Sequence, residues 1–122
     1  MLFRFRYLIA VMVLAGCASG VAQKEASKAL DAGIKSYENG QDTKAAKQLR
    51  SALDMGLSSK ADQVKAHKYL AFINCAAGRE KQCRDEFGRA LDLDPNFELT
   101  AAEAGHPIWG PVYRSLKVKK QK

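Results

Sequence analysis

Shifted by 38 positions, the chain falls onto itself: Gly33 meets Ala71, Gly40 meets Gly78, Ala45 meets Cys83, Leu49 meets Phe87, and Ala52-Leu53 meets Ala90-Leu91. Self-similarity at a period of a few tens of residues marks a repeat fold, in which each supersecondary unit buries its apolar face only against a neighbour. In the first unit Leu30, Ile34 and Tyr37 recur at helical spacing and Asn39-Gly40 interrupts them. Ala45, Leu49 and Ala52-Leu53 then form a second apolar stripe that ends before Gly56. The second unit repeats the plan, with Ser59 as an N-cap, a helix to about Ala77, a turn at Gly78, and a helix from about Glu80 to Asp92 before Pro95. Glycine suits both turns, because a helix that reverses direction commonly ends on a left-handed residue. The pattern predicts an all-α chain with two helical hairpins, over about residues 27–57 and 64–97. The 122 residues leave room for one small domain.

Two hairpins alone would expose the apolar edge of the second, so a cap is needed. Thr100-Ala101-Ala102-Glu103 has the form of a capping box and predicts a short helix ending near Gly105. A further helix follows from His106-Pro107-Ile108-Trp109, with Pro111 suited to its first turn. Residues 98–116 read as a C-terminal capping segment whose Ile108, Trp109, Val112 and Leu116 cover the edge; the other reading makes Trp109 an anchor for a partner. Residues 117–122 read as a basic tail, solvated or facing anionic lipid or an acidic partner.

The amino terminus carries an address. Arg4 and Arg6 precede nine apolar or aromatic residues, Tyr7 to Ala15, and then Gly16-Cys17. The run is too short and too interrupted to span a bilayer, which needs about twenty apolar residues. It reads as a signal peptide over residues 1–16. Leu14-Ala15-Gly16-Cys17 resembles the bacterial lipobox, with an aliphatic residue, two small residues and then the cysteine that takes the lipid. The resemblance implies cleavage before Cys17, diacylglycerol on its thiol and an acyl chain on its new amino group. Several acyl chains hold a protein on a membrane where one holds it only marginally. Residues 17–26, small and polar, read as a lipidated tether. Ala18 and Ser19 follow the cysteine, which by resemblance to enterobacterial sorting favours the outer membrane facing the periplasm.

The spacing of small and large residues in the two units resembles the tetratricopeptide repeat over residues 27–97. In that family a glycine turn follows helix A, and helix B carries a small residue, a large one four later and then Ala-Leu, as in Gly78, Cys83, Phe87 and Ala90-Leu91 before Asp94-Pro95. The first unit has Gly40, Ala45, Leu49 and Ala52-Leu53 without the proline. The family's early large residue and later aromatic are replaced by Ala29 and His67, and by Ser36 and Asn74. Such hairpins stack into a superhelix whose concave face receives a peptide or helix, so the resemblance implies a protein-binding module. Leu30, Ile34, Tyr37, Lys68 and Phe72 correspond to its groove-facing positions, with core packing as the other reading of Leu30, Ile34 and Phe72. The whole layout looks most like small lipoproteins associated with type VI secretion, with pilus or secretin pilotins and outer-membrane assembly accessories as alternatives.

No set of residues with enzymatic spacing emerges. His67 and His106 are far apart in sequence, the three cysteines show no CxxC, and HExxH and the glycine-rich nucleotide loops are missing. Adjacent Asp85 and Glu86 point to different azimuths of one helix. The expectation is a docking protein without catalytic residues, metal or cofactor beyond the Cys17 lipid; a small envelope enzyme or ligand carrier is the alternative class. The formal charge of +7 arises from the leader and the last nineteen residues, since 17–103 holds 13 basic and 13 acidic residues. Without a basic stripe on the body, nucleic acid is not an expected partner. Loss of Arg4 and Arg6 would leave a mature chain of +5. Cys75 and Cys83 face each other across the Gly78 turn in a compartment that permits disulfides, and read either as a bridge or as two small buried residues.

Overall fold

The computed structural model describes residues 15–121, with side chains from Gly20 to Lys120. These residues form six helices and no strand: α1 Ala15–Glu38, α2 Asp42–Met55, α3 Lys60–Ala76, α4 Glu80–Leu93, α5 Ala101–Ala104 and α6 Trp109–Gln121. All but two residues of the expected leader, and the side chain of Cys17, lie outside the described residues.

Helix α1 pairs with α2, and α3 pairs with α4, each across a three-residue turn. The two turns close with the same hydrogen bonds. Gly40 donates to the Tyr37 carbonyl and Gln41 to Ser36; 38 residues on, Gly78 donates to Cys75 and Arg79 to Asn74. These are the two bonds of a Schellman motif, which needs a left-handed residue, and Gly40 and Gly78 hold φ of 76° and 79°. The sequence repeat is thus a repeat of backbone geometry. Helix α3 starts where Ser59 accepts a hydrogen bond from the Asp62 amide, and α5 starts on the capping box of Thr100 and Glu103.

Two apolar clusters meet at α3. One joins α1, α2 and α3 through Leu30, Leu49, Leu70 and Ile73; the other joins α3, α4 and α6 through Phe72, Phe87, Leu91, Trp109 and Tyr113. The first pair packs tightly at Gly33, where a Cβ would meet the Leu49 side chain at 2.8 Å. The residues Ser36 and Asn74, at equivalent repeat positions, are buried polar groups with partners: Ser36 donates to Gln48, while Asn74 donates to the Leu70 carbonyl and accepts from Arg79. Cys75 and Cys83 are joined by a disulfide, Cα to Cα 5.1 Å, tying the end of α3 to the first turn of α4.

Three expectations change. The stretch read as a tether, 17–26, is helical and continuous with α1. Its alanines favour helix, Ala26 is fully buried, and the Gln23 amide donates to the Gly56 carbonyl while its oxygen accepts from the Ser58 amide. The basic tail is also helix, since α6 runs to Gln121. Lys117 donates to the Pro95 and Phe97 carbonyls and pairs with Glu98, and Lys120 pairs with Asp92, so tertiary partners replace water. Finally, Ile108 is 50% exposed and does not cover the second pair, whereas Trp109, Val112 and Tyr113 are buried there.

Candidate docking groove

Helices α1 and α3 and the α5–α6 segment line one face of the domain, and an aromatic strip runs across it. Tyr37 from α1 meets Tyr69 from α3 edge to face at 5.1 Å, and Tyr69 meets Phe72 edge to face at 5.8 Å. Phe72 stacks on Trp109 at 4.3 Å, and the His106 imidazole stacks on the outer face of Trp109 at 3.4 Å. The indole nitrogen donates to the Glu103 carbonyl at 2.9 Å. Edge-to-face and offset stacking of this kind suit the ring quadrupoles and hold the rings in fixed orientations.

The strip has one cation and one anion. Lys68 Nζ lies 2.9 Å from Glu103 Oε2, and also sits over the Tyr69 ring at 4.9 Å. Burial pushes the Glu103 carboxyl up, but the Thr100 amide, the Lys68 ammonium and the Thr100 hydroxyl together hold it below its ordinary range. Both phenols are shifted the other way. Burial raises Tyr37, with Asp42, Tyr69 and Glu103 adding to it, and burial followed by Glu103 and Glu38 raises Tyr69. The hydroxyls therefore stay protonated at neutral pH, and the surface is aromatic, neutral overall and able to donate hydrogen bonds.

The structure separates the candidate groove residues by depth. Leu30 and Phe72 are 2% exposed and belong to the core, as does Trp109 at 9%. Leu30 is held among Ala45, Leu49 and Leu70, and Phe72 lies under Trp109, so neither offers a surface to a partner. Ile34, Tyr37 and Lys68 remain partly exposed. Tyr69, Glu103 and His106 complete the strip; Tyr69 was not singled out in the sequence, and Glu103 and His106 were read there in other roles. The capping-box spacing marked Glu103 for a backbone role, while Tyr69, the neighbour of Lys68 on α3, gave no local sign that it belongs to the same strip.

Elsewhere, His67 Nδ1 lies 2.6 Å from Glu86 Oε2, and Arg89 approaches the other oxygen at 3.2 Å. Asp85, next in sequence, points instead to Lys81. Among the described residues, no three His, Cys, Asp or Glu side chains gather in a group able to hold a metal ion, and no helix is long and apolar enough to cross a membrane. No family model, curated protein or solved structure matches the chain.

Proposed function

We propose that this chain is a lipid-anchored, tetratricopeptide-like docking protein of the bacterial cell envelope, cleaved before Cys17 and held on the outer membrane facing the periplasm. In this reading the two helix pairs are the repeats, α5 and α6 are the cap, and the groove receives a segment of an envelope machine, with type VI secretion the best match to the layout. The observation that carries the reading is the strip of half-exposed Tyr37 and Tyr69 beside Lys68, held from beneath by Phe72 and Trp109. Rigid aromatic side chains with a polar tip lose little conformational freedom on binding and are enriched where partners dock. With Lys68 matched by Glu103, the groove suits an apolar or aromatic segment rather than a strongly charged one.

Site-specific photo-crosslinking in the producing cell tests this. A photoreactive residue at Tyr69 should yield one discrete adduct with an envelope protein, lost in Tyr37→Ala, while the same group at Arg50 on α2 yields none. Equal adducts from both positions, or none from Tyr69, reject the groove. A mature protein whose intact mass shows no acyl chain on Cys17 rejects the anchor.

A further inference from the structure

The domain has two ends. At one lie the Gly78 turn, the first residue of α4 and Pro107 to Pro111, which together line a single cavity. At the other lie the N-terminal turns of α1, joined by Gln23 to the α2–α3 connector at Gly56 and Ser58. The last turns of α6 reach that same end, because Lys117 is bound to Pro95 and Phe97, and Lys120 to Asp92 at the end of α4. We propose that this second end, presenting Val21, Met55, Val118, Lys24, Lys60 and Lys119, rests on the anionic headgroups of the bilayer that holds Cys17. The inference rests on the lipid anchor proposed above and names a second, noncovalent contact with the same membrane.

Distance favours it first. Cys17 lies six residues before Gln23 on one uninterrupted helix, and at 1.5 Å per residue that is about 9 Å. A headgroup layer is roughly 5–7 Å deep on each side of a bilayer. An acylated Cys17 at the interface therefore leaves the Gln23 to Ser58 clamp just above the headgroups, with no slack segment between.

Apolar exposure points the same way. Of the large apolar side chains exposed among the described residues, Val21 at 60%, Met55 at 48% and Val118 at 57% all belong to this end, and only Ile108 belongs to the other. Val21 is one turn beyond Cys17 along α1.

Charge is complementary too. The acids at this end are largely engaged: Asp92 and Glu98 are paired by Lys120 and Lys117, Glu25 by Lys28, and the Asp94 carboxylate caps the Asn96 amide. Asp54 borders a cavity with Arg50 and Arg89, and the Asp62 carboxylate, in the first turn of α3, has Lys60 and Lys65 as its sequence neighbours and no ion pair among the described residues. Lys24, Lys60 and Lys119 are exposed and, among the described residues, take part in no ion pair. Lysines beside scattered apolar tips are the chemistry of a surface that lies on anionic lipid, with stems in the interface and ammonium groups at the phosphates.

The test is lysine footprinting on the acylated full-length lipoprotein, reconstituted in vesicles of phosphatidylglycerol and phosphatidylcholine, in vesicles of phosphatidylcholine alone, and in neutral detergent. Brief acetylation followed by peptide mass spectrometry gives a rate for each lysine, and Lys44 and Lys81, in the first turns of α2 and α4, report the far end. On the anionic vesicles Lys24, Lys60 and Lys119 should be slowed on the order of fivefold, the factor one lysine contributes near such a surface, with Lys44 and Lys81 unchanged. Met55→Glu with Val118→Glu, both exposed positions, should restore the rates while acylation and the thermal melt stay as they were. Equal rates at both ends, slowing at Lys44 and Lys81 instead, or equal slowing on phosphatidylcholine alone overturns the proposal while the anchor stands. A protein whose intact mass shows no acyl chain on Cys17 overturns the anchor and the proposal with it.

Discussion

The indole of Trp109 lies nearly parallel to the ring of Phe72, centroids 4.3 Å and planes 22° apart, and so joins the C-terminal helix to the C-terminal half of α3. Trp109 also shields Phe72 from solvent and donates to the Glu103 carbonyl. Trp109→Ala removes the stack, the hydrogen bond and much of the lid over the second core. It should destabilise the domain by about 3–5 kcal/mol. A thermal melt checks this, and a melting temperature within a degree or two of the wild type would show that α6 docks without it.

The Cys75 to Cys83 bridge closes a short loop across the Gly78 turn. A cross-link of this span restricts the unfolded chain by about 2–3 kcal/mol. The double variant Cys75→Ala with Cys83→Ala should therefore melt earlier yet keep its helical content, since the turn retains its own backbone bonds. Thiol counting on unfolded, unreduced mature protein should give none from these two positions; two free thiols would reject the bridge.

Glu103 predicts an acid limb of stability. Its carboxyl is held below the ordinary value in the folded state, so its contribution is fully present above the unfolded value and is lost as pH falls through the folded one. Denaturant melts should show stability falling below about pH 4.5, the ordinary carboxyl value. Glu103→Gln keeps an acceptor for the Thr100 amide but removes the charge that holds Lys68, so this variant should be less stable at pH 7 and show a shallower acid limb. An acid limb unchanged by the substitution would assign it to other carboxylates.

Gly110 sets how closely α6 abuts α5. A Cβ there would fall on the Ala104 carbonyl oxygen, which Arg114 also binds at 2.7 Å. Gly110→Ala must push the two helices apart and should cost about 1–3 kcal/mol. Gly88, with open space around its Cβ position, is the matched control: Gly88→Ala on α4 should be neutral or mildly stabilising. Melts of the two variants side by side distinguish a packing clash from a general response to added methyl groups.

The helical class of the chain was readable because it depends on local chemistry. The left-handed turns at Gly40 and Gly78, the Ser59 cap and the Thr100 capping box are each set by residues within five positions of one another. Depth within the fold was not readable in that way. Leu30 and Lys68 occupy the same repeat position, yet one is core and the other lies in the aromatic strip, because Lys68 is met by Glu103 from a segment that the first pair lacks. Lys117 likewise looked like part of a solvated tail until Pro95 and Phe97 supplied carbonyls more than a dozen residues away in sequence. The helicity of 17–26 was missed for a related reason: a small, polar composition is compatible with either state, and the Gln23 contacts with Gly56 and Ser58 decide it.

Those Gln23 contacts have a mechanical consequence. A lipoprotein on a slack leash dissipates any pull on its partner in the leash before the fold feels it. Under the proposed anchor, a pull applied at the aromatic strip and resisted at Cys17 would run along α1 as one stiff rod and spread through Gln23 to the link between the two helix pairs. The load would enter both pairs as shear along their helix axes rather than peeling one terminus away. Under the proposed anchor, such a domain would carry tension between the bilayer and its partner, and would transmit tilt as well as force.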